Sequence, residues 1–245
     1  MTPKKISRKS IKEDKFVATI LKIAKLLKVY WKLVVIAVIG LLIIVGAFLG
    51  YGRYRENMEQ KALLPLSEAF GYFYQEISSA EANTSTTPEG KLSPQELEKY
   101  QKALNAFSKV VHDFPRTRSG QLALLYQAQC YYQLSNFSEA IKSYESFVKK
   151  YKNDFLTPFA WQGLGYCYEI QGNYKQAINT FLDGIKKFPK DFLTSQLYID
   201  LGRNYEMVGE YEQAKEAYNS LLERFPNSVW IEEARYRISW INAHR

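Results

Sequence analysis

His112 and His244 are the two histidines among 245 residues, and Cys130 and Cys167 are the two cysteines. Histidine could serve as a general acid or base near neutral pH, and cysteine as a nucleophile, a soft metal ligand or half of a disulfide. Each of these chemistries needs partners at set spacings. No His/Cys/carboxylate group has metal-ligand spacing, no glycine-rich loop opens a helix after a strand, and no nucleophile is matched to a base. His112 takes the place held by Lys149, Lys186 and Glu223 further along, and His244 is penultimate, so both are read as surface residues. No catalytic residue, metal site or cofactor is expected, and the chain reads as a non-enzyme. Cys130 and Cys167 hold equivalent places in adjacent units. Equivalent residues on stacked helices stand about 9–10 Å apart, beyond the disulfide limit of about 7 Å between Cα atoms. Both cysteines are therefore read as small buried apolar residues.

The elements that place these residues repeat. Tyr100, Phe137, Tyr174 and Tyr211 recur every 37 residues, as do Ala103, Ala140, Ala177 and Ala214, and Phe107, Tyr144, Phe181 and Tyr218. Phe114, Tyr151, Phe188 and Phe225 follow at the same interval, with Pro at 115, 189 and 226. Tyr131, Tyr168 and Tyr205 each follow a small residue (Ala128, Gly165, Gly202) by three positions. The connecting segments repeat too, as Asp154-Phe-Leu-Thr157 and Asp191-Phe-Leu-Thr194. A fixed period of this size implies a stack of similar units, each two amphipathic helices that cannot bury their apolar stripes alone. Ser135-Asn136, Gly172-Asn173 and Gly209-Glu210 supply the tight turns. Ser93-Pro-Gln-Glu96 combines an N-cap, a first-position proline and a capping-box glutamate, so a helix starts there. Leu63 to Ile77 reads as a helix for which Pro65 marks the first turn or a break, and residues 78–92 read as a polar loop.

These positions resemble the tetratricopeptide repeat family. Trp161, Leu164, Gly165, Tyr168, Ala177, Phe181 and Pro189 carry the resemblance most fully, and Tyr198, Leu201, Gly202, Tyr205, Ala214, Tyr218 and Pro226 repeat it; the preceding unit departs at Gln127 and Lys152. The resemblance implies an all-α right-handed superhelix over 95–245: a half repeat at 95–115, repeats at about 119–152, 156–189 and 193–226, and a capping helix at 229–243. It also implies that the first helices line a concave face that binds proteins or peptides. The inward residues expected there include Leu125, Gln129 and Tyr132, then Phe159, Gln162, Tyr166, Glu169 and Ile170, then Ile199, Arg203, Glu206 and Met207. With one basic residue among them, a clamp for a terminal carboxylate is not expected.

Charge and hydropathy set the remaining organisation. The chain carries +8, and residues 1–32 hold ten basic and two acidic side chains, so the arm accounts for the whole excess and residues 33–245 are neutral overall. Nucleic acid is thereby not expected, and the neutral part is expected to recruit partners by shape and apolar contact. Leu33 to Gly52 contains no charge and spans about 30 Å as a helix, the thickness of a hydrocarbon core. It reads as an uncleaved signal anchor followed by a membrane-proximal segment, 53–94. The basic excess before it puts the N-terminus in the cytoplasm and the repeats across a bacterial inner membrane, in the periplasm. Phe16, Val17, Ile20, Leu21, Ile23, Ala24, Leu26 and Leu27 alternate with lysines, which suits a helix lying on anionic lipid or a bare topology signal. Gly46 and Gly50 match the small-xxx-small pattern of a homodimer seam. An anchor followed by repeats resembles the ancillary subunit family of the SecYEG translocon, which implies an accessory scaffold in protein export or periplasmic chaperoning. The alternative is a structural coordinator of envelope assembly or cell division with one fixed partner.

Overall fold

The structure is a computed structural model that describes residues 8–75 and 92–244, with side chains from residue 16 onward except Leu27. The expected polar loop and Ile77 lie outside the described residues. The chain divides into two compact units, Met1–Asn57 and Met58–Arg245. Among the described residues all regular structure is helical: α1 (Arg8–Phe73), α2 (Pro94–Asp113), α3 (Arg118–Gln133), α4 (Phe137–Lys150), α5 (Thr157–Ile170), α6 (Tyr174–Lys187), α7 (Thr194–Met207), α8 (Tyr211–Arg224) and α9 (Ile231–His244).

In the first unit α1 leaves helical geometry at one residue, Tyr30, where φ is −106° and ψ is 17°. Before it, Phe16, Ile20 and Ile23 stand exposed on the helix, and after it the uncharged run from Leu33 to Gly52 is exposed as well, apart from the half-buried Gly40. Lys28–Phe73 is the one described helical stretch long and apolar enough to cross a membrane, and its most apolar window buries nothing within the protein.

The second unit is a stack of antiparallel helix pairs. The final turns of α1 pack on α2 through Leu66, Ala69 and Phe73, and Phe70 meets Phe107 edge-on at 5.2 Å between ring centroids and Tyr126 at 4.7 Å. The helix at 95–115, expected as half a repeat, thus has a partner in Ala62–Phe73. Pro65 lies inside α1 and does not break it. An interior proline costs about 3 kcal/mol, and burial of Ala62, Leu66, Ala69 and Phe73 against the repeats offsets that cost. Glu59 ties the same turns to α3, accepting hydrogen bonds from the Ser119 N–H at 2.9 Å and the Arg118 N–H at 2.6 Å.

Each pair is closed by small residues. A Cβ on Gly165 would stand 2.2 Å from the Phe181 ring, and one on Gly202 would stand 2.2 Å from the Tyr218 ring. The turns at 135, 172 and 209 share left-handed backbone, with φ of 57° at Ser135, 71° at Gly172 and 80° at Gly209. The connecting segments are pinned identically. Asp154 accepts the Leu156 N–H and Asp191 the Leu193 N–H, both at 2.9 Å, while the Thr157 and Thr194 hydroxyls donate to the Tyr151 and Phe188 carbonyls. Ala234 and Ile241 of α9 close the core of the last pair.

Candidate peptide-binding face

Six of the twelve residues expected on the concave face line one cavity of ≈ 420 Å³ between α3 and α5: Leu125, Gln129, Tyr132, Phe159, Gln162 and Tyr166. Helical periodicity puts them together. Residues 125, 129 and 132 are one turn apart on α3, as are 159, 162 and 166 on α5. Antiparallel intervening α4 holds the two helices side by side and contributes Tyr144 to the floor, where burial pushes its phenol well above the ordinary tyrosine range. The walls therefore offer aromatic and aliphatic surface with amides that can serve an unpaired peptide backbone.

Further along the face, polar groups converge on Asp200, which is wholly buried. Tyr166 Oη donates to Asp200 Oδ2 at 2.9 Å and Gln162 Nε2 approaches the same oxygen at 3.4 Å. Gln196 Nε2 donates to Oδ1 at 3.2 Å, and Arg203 forms a short ion pair with that oxygen. Burial raises the Asp200 carboxyl above the usual carboxylate range, against the opposing pull of Arg203 and the hydrogen bonds from Tyr166, Gln196 and Gln162. Sequence reasoning missed Asp200. A signal existed: the equivalent positions are Gly163 and Tyr126, so Asp200 alone of the three places a charge at this point of the repeat.

The other expected residues are differently placed. Ile199 is wholly buried in the core around Tyr218 and offers no side-chain surface, a correction to its assignment on the face. The cause is that α7 is covered by neighbours on more than one side, with Leu197, Tyr198 and Leu201 also buried. Glu169 accepts from Asn204 Nδ2 at 3.1 Å, and Glu206 accepts from the Tyr218 hydroxyl and pairs with Arg237 at 3.4 Å, so both carboxylates serve contacts between helices. Arg203 keeps about a third of its side chain exposed while its Nε, like Asn204 Oδ1, is buried without a partner. Ile170 and Met207, equivalent in successive repeats, remain exposed.

Among the described residues no three His, Cys, Asp or Glu side chains cluster as metal ligands would. His112 Nδ1 lies 2.8 Å from Asp113 at the surface, and His244 hydrogen-bonds the Trp240 carbonyl. Cys130 and Cys167 are free and buried, and burial pushes each thiol up to about 12.

The family described as Tetratricopeptide repeat-like domain matches residues 25–234. No curated protein matches the chain in sequence. Among solved structures, a tetratricopeptide repeat protein from Parabacteroides merdae is 12% identical with a TM-score of 0.55, the match covering 75% of this chain and 61% of that one. The apo form of RapI is 13% identical with a TM-score of 0.54, covering 60% of this chain and 44% of that one. MamA is 22% identical at a TM-score of 0.47, covering 60% of this chain and 79% of that one. At these identities the feature shared with the Parabacteroides merdae protein and RapI is the fold.

Proposed function

The chain belongs to the tetratricopeptide repeat-like domain family, whose fold generally binds proteins or peptides and is typically a non-catalytic scaffold, and from that premise we propose a membrane-anchored scaffold that takes an extended polypeptide segment on its concave face. The observation that carries this reading is the cavity between α3 and α5, where aromatic rings and amides converge. Contact area comes from Tyr132, Phe159 and Tyr166, while the Gln129 amide and the Gln162 side-chain oxygen answer the peptide groups. Residues 33–52 form the anchor, the basic arm lies on anionic headgroups in the cytoplasm, and the repeats face the periplasm. Gly46 and Gly50, which have open space where a Cβ would sit, leave room for a second copy of the span. Within that placement the scaffold receives exported clients beside the export machinery. The alternative, a coordinator of envelope assembly or division with one fixed partner, rests on the same face.

Photocrosslinkers at Tyr166 and at Arg203, installed in intact membranes, test the proposal. Capture of many exported polypeptides or of translocon components supports the export role. One stoichiometric partner favours the coordinator, and an empty face at both positions rejects a concave-face scaffold. A reporter fused after Arg245 tests the side of the membrane independently, and activity of a cytoplasm-only reporter there would reverse the orientation.

A further inference from the structure

Two of the four segments that connect one helix pair to the next, 154–157 and 191–194, repeat an Asp-Phe-Leu-Thr sequence, and three of its four residues have structural tasks. The aspartates and threonines cap and pin the backbone as described, and Leu193 is buried. The phenylalanines do not. Phe155 is 67% exposed and Phe192 70% exposed, and the equivalent Val229 is 88% exposed. Phe155 is touched by the Arg118 guanidinium, 4.5 Å from its ring centre, and Phe192 meets the edge of Phe159 at 5.9 Å. Because consecutive helices are antiparallel, these connections all fall on one edge of the stack, and the tight turns at 135, 172 and 209 fall on the other.

The same edge is basic. Segments 112–118, 149–155, 186–192 and 223–229 carry nine Lys or Arg and four Asp or Glu, although residues 33–245 as a whole are neutral. Lysines in the last helical turns complement the helix dipole, which accounts for Lys149, Lys150, Lys186 and Lys187. It does not account for Arg116, Lys152 and Lys190, which lie beyond the helices and are exposed.

We infer that this edge is a docking surface for an anionic lipid bilayer, with Phe155 and Phe192 entering the headgroup region and Lys152 and Lys190 on acidic headgroups. Exposed rings set among lysines suit lipid better than a protein partner, because protein interfaces are enriched in aromatics but depleted in lysine, whereas interfacial membrane contacts use both. The inference rests on the anchored reading only in that the anchor holds the bilayer close.

The test uses the full chain in nanodiscs of phosphatidylcholine, alone or with phosphatidylglycerol at roughly a two-to-one ratio. A fluorophore is attached at Asn153→Cys on the basic edge, or at Gln171→Cys on the turn edge, the native thiols being buried. Quenching by nitroxide-bearing lipid reports proximity. In the acidic discs quenching at 153 should exceed that at 171 on the order of tenfold, and either Phe155→Ser/Phe192→Ser or Lys152→Glu/Lys190→Glu should abolish the difference. Equal quenching at both edges, an unchanged signal in phosphatidylcholine alone, or survival of the signal in both double variants overturns the inference. A response of the 153 label to added single-stranded oligonucleotide, with no lipid quenching, reassigns the edge to nucleic acid. A chain that fails to stay in the discs sinks the anchor instead. The edge is then read by co-floatation with phosphatidylglycerol vesicles, which should be weakened by the same double variants; flotation unchanged by both would overturn it.

Discussion

Asp200 and Asp154 are both carboxylates held by an arginine, and their surroundings drive them in opposite directions. Burial dominates at Asp200 and raises its pKa, so the folded chain holds that proton more tightly than the unfolded chain does. The associated stability is complete below the ordinary value of 3.8 and is lost as pH rises through the folded value. Asp154 is also pushed up by partial burial, but hydrogen bonds from Arg118, Gln121 and the Leu156 N–H outweigh this and lower its pKa. Its stability is present above 3.8 and is lost as pH falls below that. Melting curves between about pH 2 and 6 should therefore respond oppositely to Asp200→Asn and Asp154→Asn. The first should remove a component that declines with rising pH, the second a component lost on acidification. Tyr166→Phe should cost about 1 kcal/mol for the lost hydrogen bond to Asp200. The thiols give a simpler expectation. With Cys130 and Cys167 buried and raised to about 12, maleimide should label neither at neutral pH until denaturant is added.

Helix pairing depends on a few small residues and on the conformation of the turns. Gly165→Ala or Gly202→Ala drives a methyl group into the ring of Phe181 or Tyr218, and should destabilise by about 1–3 kcal/mol in urea unfolding. Ser135 occupies the left-handed position that glycine fills in the next two turns, so Ser135→Gly should be neutral to stabilising by up to about 1 kcal/mol. The mirror change, Gly172→Ala, should cost about 1 kcal/mol at a site where no side chain obstructs it, which separates backbone strain from crowding. Helix starts are chemically marked as well. Ser93 accepts the Glu96 N–H at 3.2 Å while Glu96 accepts the Ser93 N–H at 2.7 Å, the reciprocal box expected from the sequence alone.

Across the whole repeat unit, stability is shared between neighbouring pairs, and the ends need covers. The last turns of α1 cover α2 at one end through an aromatic cluster, and α9 covers α8 at the other through Ala234 and Ile241. Ending the chain after Arg224 should lower the unfolding midpoint and promote self-association, read by light scattering, because it uncovers apolar surface on α8. The period of 37, the small-residue positions, the capping box and the apolar span were all legible in residue order, because helical periodicity and turn chemistry are local properties. The cover supplied by residues 62–73 was not, because its aromatics lie outside the repeat and Pro65 suggested an interruption. Half of the expected concave-face residues do line one cavity. Ile199 does not, since it is wholly buried in the core around Tyr218, and Asp200 was passed over because its partners come from α5 as well as α7. Composition likewise established that residues 33–245 are neutral. Charges average to zero in a sum and separate only when antiparallel helices bring four distant connecting segments to one edge. Order along the chain thus determines which units form and where they start and stop; which side chains are accessible, and which charges lie together, depends on contacts between residues far apart in that order.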